Sequence, residues 1–220
     1  MNENVPDAKT IWFFRETLMK KGVLEELYTQ LNKTMQTLGL ILNKGRIIDA
    51  TIMEVPKQRN TRQENKQIKE GQIPKEWKAE KVKQKDVDAS WLTKDGKDYF
   101  GFKNHVVIDR ETKLIVDFQV TLASVKDREI GEELIEEISE GSIVYADRGY
   151  PSKRLSEKMK SRGITDKVMR QGSRNKAISQ SEKERNREIS RTRCKIEQVF
   201  GFMKRHGKKF DIRCNSQNFI

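Results

Sequence analysis

The sequence predicts an α/β protein: a central sheet carrying helices on its faces. Three observations predict it. From Gly45 to about Lys204, strand-like apolar runs alternate with helix-like periodic runs in the order strand, hairpin, helix, strand, helix, strand, helix. Two of the strand-like runs, "GRIIDATIME" and "GSIVYADRGY", hold an acid in or at the end of an apolar stretch, at Asp49 and Asp147. The 220-residue length suffices for one good core or one core with a small appendage.

Residues 7–38 read as two helices. Ile11, Phe14 and Leu18 share one face of the first, which stops at Gly22; Leu24, Leu27, Tyr28, Leu31, Met35 and Leu38 stripe the second, which ends at Gly39. Such a pair can hardly bury its apolar faces alone, so it is expected to pack on another element or to dimerise. "GRIIDATIME" is the first strand. Residues 56–98 are polar, charged and without period, and are expected to form a long excursion or flexible insert, with Trp77 and Trp91 docking parts of it. "YFGFKNHVVIDRETKLIVDFQVTLA" reads as a hairpin turning at "DRETK". A helix follows over "DREIGEELIEEI", with Ile130, Leu134 and Ile138 at helical spacing. Next come the strand ending at Asp147, a helix over "PSKRLSEKMKSRG", a short strand near "TDKVMR", and a long basic helix from about Ser181 to Lys204.

Charge narrows the function classes. The net charge is +12, yet from Pro151 onward 20 Lys and Arg face 7 Asp and Glu, so the excess sits in the last third. A localised basic surface favours a polyanionic partner, because each neutralised phosphate releases counterions; lysine-rich solvated helices are the plainer account of the same charge. Cys194 and Cys214 make no disulfide framework, and with His105 and His206 they match no zinc spacing. No apolar run approaches the roughly 20 residues of a membrane span, and "MNENVPDAKT" is no signal peptide. A soluble, reducing, cytoplasmic setting is expected.

Acids far apart in sequence can meet where neighbouring strands end. Asp49 and Asp147 are placed for that, as two carboxylates sharing a divalent ion; a turn-forming Asp-Gly pair is the other reading of "ADRG". In the last helix Ile196, Val199, Phe200 and Met203 form an apolar face, and Glu197 flanks it beside Arg193 and Lys204. An intrahelical ion pair would also explain that face.

Four pieces in order, "GRIIDATI", "YFGFKNHVVID", "IVYADRGY" and Arg193-x3-Glu197-x6-Lys204, resemble the DDE transposases of bacterial insertion sequences, above all the group related to insertion sequences four and five. The resemblance runs from about Val5 to the region of Lys209, with Ser190 standing where that family's helix signature has tyrosine. It implies a ribonuclease H-like α/β fold with an N-terminal helical segment (1–44), a catalytic domain (45–209) holding the insert 56–98, and a tail (210–220). It also implies a bacterial, nucleoid-associated enzyme that cleaves and transfers DNA strands. Asp49, Asp147 and Glu197 would be its catalytic and metal-holding acids. The resemblance implies Mg2+ or Mn2+, two ions about 3.5–4 Å apart, activating water or a 3′-hydroxyl; hard carboxylate oxygens suit either ion. Arg193 and Lys204 would hold DNA phosphates, as would Arg148, for which a plain surface arginine is the alternative. Lys103 and His105 in "GFKNH" match a recurrent family motif and would approach the DNA, or the histidine is a half-buried strand residue. The implied partners are double-stranded DNA, as terminal inverted repeats and target, and a second copy of the chain in a homodimer. Against the family the chain looks truncated at both ends, so a DNA-binding remnant without catalysis is the alternative. A ribonuclease H-like nuclease is the third reading.

Overall fold

The computed structural model describes residues 5–57, 60–172 and 177–207. Six strands make one mixed sheet: β1 (Arg46–Glu54), β2 (Ser90–Lys94), β3 (Lys97–Asp109), β4 (Ile115–Leu122), β5 (Ile143–Ala146) and β6 (Thr165–Val168). β1 lies in the interior of the sheet. On one side it pairs antiparallel with β3, from Arg46↔Asp109 to Glu54↔Gly101; on the other it runs parallel to β5, which runs parallel to β6. β3 also pairs antiparallel with β4 through Phe102–Ile108 and with β2 through Lys97–Gly101. This is the α/β, ribonuclease H-like arrangement that the sequence led us to expect.

Strand alternation sorts the core into two layers. Ile48, Val107, Val144 and Ala146 face α6 (Lys153–Ser161), where Leu155 and Met159 meet them. Ile47, Val106, Ile108 and Tyr145 face α7 (Gln180–Gly207), where Ile189, Ile196 and Phe200 meet them. Each fully buried isoleucine or leucine contributes about 1.5–3 kcal/mol. At the mouth of this sheet Gly101 has φ 152°, and a Cβ there would collide with the Met53 carbonyl, so only glycine lets β1 and β3 approach.

Two expectations are corrected. Residues 56–98, expected to form a long excursion or flexible insert, contain α3 (Arg62–Lys69), α4 (Ala79–Gln84), β2 and the start of β3. Thr61 and Glu64 close a capping box on α3, and the Trp77 indole donates to Glu64 at 2.6 Å. Lys81 reaches the same carboxylate at 2.9 Å and lies over the Trp77 ring. Trp77 is buried as expected, whereas Trp91 is half exposed against Phe100. Such polar and aromatic ties leave no apolar period. The second correction concerns "DREIGEELIEEI", whose regular helix α5 spans only Asp127–Ile130. Ile130, Leu134, Ile135 and Ile138 are all buried, but beyond α5 the chain continues in tight turns. The carbonyls of Glu132, Ile135 and Ile138 accept from Lys158 of α6 and from Arg162 just past it, so side chains replace helical N–H donors.

At the N-terminus α1 (Ala8–Lys20) and α2 (Val23–Thr37) match the two expected helices. α2 docks on β4: Tyr28 Oη donates to the Ile115 carbonyl at 3.1 Å and Asn32 Nδ2 to Val116 at 2.9 Å. α1 buries no residue. The expected tail, 210–220, lies outside the described residues.

Candidate active site

Asp49 and Asp147 are brought together by register. The β1–β5 pairing ends at Ile48↔Ala146, and the residue that follows each is the acid: Asp49 within β1 and Asp147 just past the end of β5. Alternation turns Asp49 to the α7 side, where Arg193 Nη2 donates to its Oδ2; Oδ1 accepts from the Ala50 N–H at 2.9 Å. Burial raises the Asp49 pKa and the Asp147 charge adds to the rise, with Arg193 and the Ala50 N–H opposing it. Asp147 Oδ1 accepts from the Gly149 N–H, and Tyr150 N bonds the Asp147 carbonyl at 3.2 Å, closing a turn at the strand end.

Glu197 does not join them. α7 runs antiparallel to β1: its Asn186 bonds Arg170 beyond β6, and its Lys195 bonds the Arg110 carbonyl beside the Arg46 end of β1. One turn past Arg193, about 6 Å along the helix, Glu197 therefore lies toward that opposite end and is exposed. Lys204 is exposed further along α7, and Arg148 is exposed in the Asp147 turn.

Lys103 and His105 face the other side of the sheet, with Val107. Lys103 donates to Asp127 Oδ1 at 2.8 Å and to the Val125 carbonyl at 2.6 Å. His105 is 0% exposed, with Nδ1 3.0 Å from Tyr150 Oη and Nε2 3.1 Å from Thr121 Oγ1. Sequence reasoning did not single out Tyr150 and gave Asp127 no role. The proximity of Tyr150 to Asp147 in sequence was a usable signal, whereas the Lys103–Asp127 contact spans 24 residues and left none.

The donor set suits a hard cation. Asp49 and Asp147 offer carboxylates, and Asn104 Oδ1, on the same side of β3, is buried without a partner. Arg193 Nε is likewise buried and unpaired. Among the described residues no three acids, cysteines or histidines are grouped to hold a metal by themselves. Nor, among them, is any helix long and apolar enough to cross a membrane.

Comparison with known proteins bears on this geometry. Residues 42–220 match a family model described as Transposase DDE domain. The chain is 31% identical over 194 residues to the transposase for insertion sequence element IS1106 of Neisseria meningitidis serogroup B. That match covers 87% of this chain and 65% of the relative. No solved structure matches.

Proposed function

The chain belongs to the DDE transposase family, and from that premise we propose that it cuts DNA at the ends of an insertion sequence and joins the freed ends to target DNA. The observation that carries the reading is the meeting of Asp49, on β1, and Asp147, just past the adjacent β5, beside Arg193. A divalent cation, Mg2+ or Mn2+, would polarise the phosphodiester and sharpen the nucleophile there. Asp49, Asp147 and the Asn104 carbonyl are the groups that would hold it. Arg193 sits on Asp49 where a cation would otherwise sit, and its planar guanidinium can exchange that carboxylate for a DNA phosphate in bidentate fashion. In this reading the exchange frees Asp49 and lets α7 shift to bring Glu197 in as third acid. Arg148 and Lys204 would follow the DNA backbone. The catalytic unit would be residues 45–209, with residues 1–44 as a docked helical segment, acting on terminal inverted repeats and target duplex as a homodimer in the bacterial nucleoid.

A second reading, DNA binding without catalysis, draws on the distance of Glu197 from the two aspartates. One assay separates them: metal-dependent nicking of duplexes carrying candidate terminal repeats, by the full chain and by Asp147→Asn. Nicking with Mg2+ or Mn2+ that Asp147→Asn loses by at least 100-fold, in keeping with loss of a metal-holding acid, supports the enzyme. Salt-sensitive binding with no nicking at any metal concentration refutes catalysis and leaves the second reading.

A further inference from the structure

We propose that Tyr150 and His105 are positioning residues that brace the Asp147 turn from the face of the sheet opposite Arg193. The proposal rests on reading Asp147 as a metal-holding acid.

β5 ends at Ala146, so nothing in its ladder holds the four residues that follow. Arg148 is exposed, as expected of a strand-end loop, yet Tyr150 is only 1% exposed. Its ring lies in the α6-side core and meets His105 edge-on, at 6.2 Å between centroids and 83° between planes. The directions of the polar contacts are assigned from where the single Thr121 hydroxyl proton goes. We assign that proton to the Leu122 carbonyl, 3.2 Å from Thr121 Oγ1, and in this assignment the hydroxyl accepts from His105. His105 Nε2 therefore carries the ring proton and Nδ1 is bare. The bare Nδ1 accepts from Tyr150 Oη at 3.0 Å. Thr121 on β4, His105 on β3 and Tyr150 behind β5 form one directed chain across the sheet.

A second support meets the same turn. Lys103 fixes Asp127 through Oδ1, and Asp127 Oδ2 lies against Gly149: a Cβ there would come within 2.8 Å of it and 3.1 Å of Asp147 Oδ1. Gly149 is thus held between two carboxylates while its N–H serves one of them. The Asp147 carboxylate has little freedom as long as Tyr150 stays seated.

Three variants test this. Tyr150→Phe removes the hydroxyl and keeps the ring. His105→Gln keeps a group near Thr121 and removes the acceptor at Nδ1. His105→Asn keeps an acceptor at Nδ1. In the metal-free protein, amide hydrogen exchange is read at Gly149 and Tyr150 and compared with Ile47 and Val106 in the strands. Tyr150→Phe and His105→Gln are expected to speed exchange in the turn by roughly tenfold and leave the strands unchanged, with His105→Asn near wild type. Unchanged turn amides, or faster exchange spread evenly over the sheet, overturn the proposal. Mn2+ binding followed by electron paramagnetic resonance supplies the second readout. Asp147→Asn should abolish it, Tyr150→Phe should weaken it by about tenfold, and His105→Asn should restore it relative to His105→Gln. Wild-type affinity in Tyr150→Phe overturns the positioning role. A wild-type protein that takes up no Mn2+ overturns the metal reading and the purpose given to the brace, while the exchange rates still decide whether the brace exists.

Discussion

His105 is a fully buried imidazole whose pKa falls to about 4 because burial disfavours its charged form; Asp127 opposes that fall and Lys103 adds to it. In the unfolded chain the same group titrates near 6.5. Between these values the unfolded state binds a proton that the folded state refuses, so stability rises with pH across the window and is lost as pH drops from about 6.5 toward 4. The contribution is on the order of 1–3 kcal/mol. In urea melts the stability of wild type should therefore fall by about that amount relative to His105→Asn on acidification; a difference that does not change with pH would refute the assignment. The sequence marked His105 as a candidate for approaching DNA or as a half-buried strand histidine. It could not show the depth of burial, because that depends on α5 and Tyr150 closing over β3. Asp49 and Asp147 were legible as a pair for a plain reason: an acid interrupting or ending an apolar run is costly to bury unless it has a use or a partner.

Among the elements, the Trp77 unit of α3 and α4 has its own small lattice of contacts, centred on Glu64. Hydrogen bonds from Lys81, Trp77 and the Thr61 N–H hold the Glu64 pKa down to about 2. For a depressed acid the stabilisation is present above its ordinary 4.5 and is lost as pH falls from there toward about 2. Trp77→Ala should release α3 and α4 without unfolding the sheet. Limited trypsin digestion would then cut within residues 62–85 at least tenfold faster, since local opening governs cleavage, while the melting temperature moves by only a few degrees. A global fall in melting temperature with no selective cleavage would refute the idea that the unit folds on its own contacts. The helices α2 and α7 were legible from their apolar stripes. α5 was not, because Lys158 and Arg162 take carbonyls that a regular helix would use, and their reach is a tertiary fact.

Over the whole molecule the basic excess of the last third has a physical location. Lys183, Arg187 and Arg191 are exposed on α7 at intervals of about 6 Å. If they follow a DNA strand, each phosphate contact adds about 0.9 to the slope of log affinity against log salt. Changing all three to glutamine should flatten that slope by roughly 2–3, measured by fluorescence anisotropy across a salt series. An unchanged slope would move the DNA to another face. At the other end of the chain, α2 found its partner in β4, while Trp12, Phe13 and Phe14 of α1 remain 53–66% exposed.

The sequence by itself determined the α/β class, the order of elements, the two strand-borne acids and the side of the chain that carries the positive charge. Each of these is written in local period or composition, and local terms do not depend on what lies across the sheet. Tertiary structure alone decided that Arg193 sits on Asp49, that Glu197 stands apart, and that Tyr150 and His105 close behind the Asp147 turn. Those pairings join residues 45 to 144 positions apart. Only the packing of β1, β3 and α7 into one body brings such side chains within reach, and no spacing along the chain encodes it.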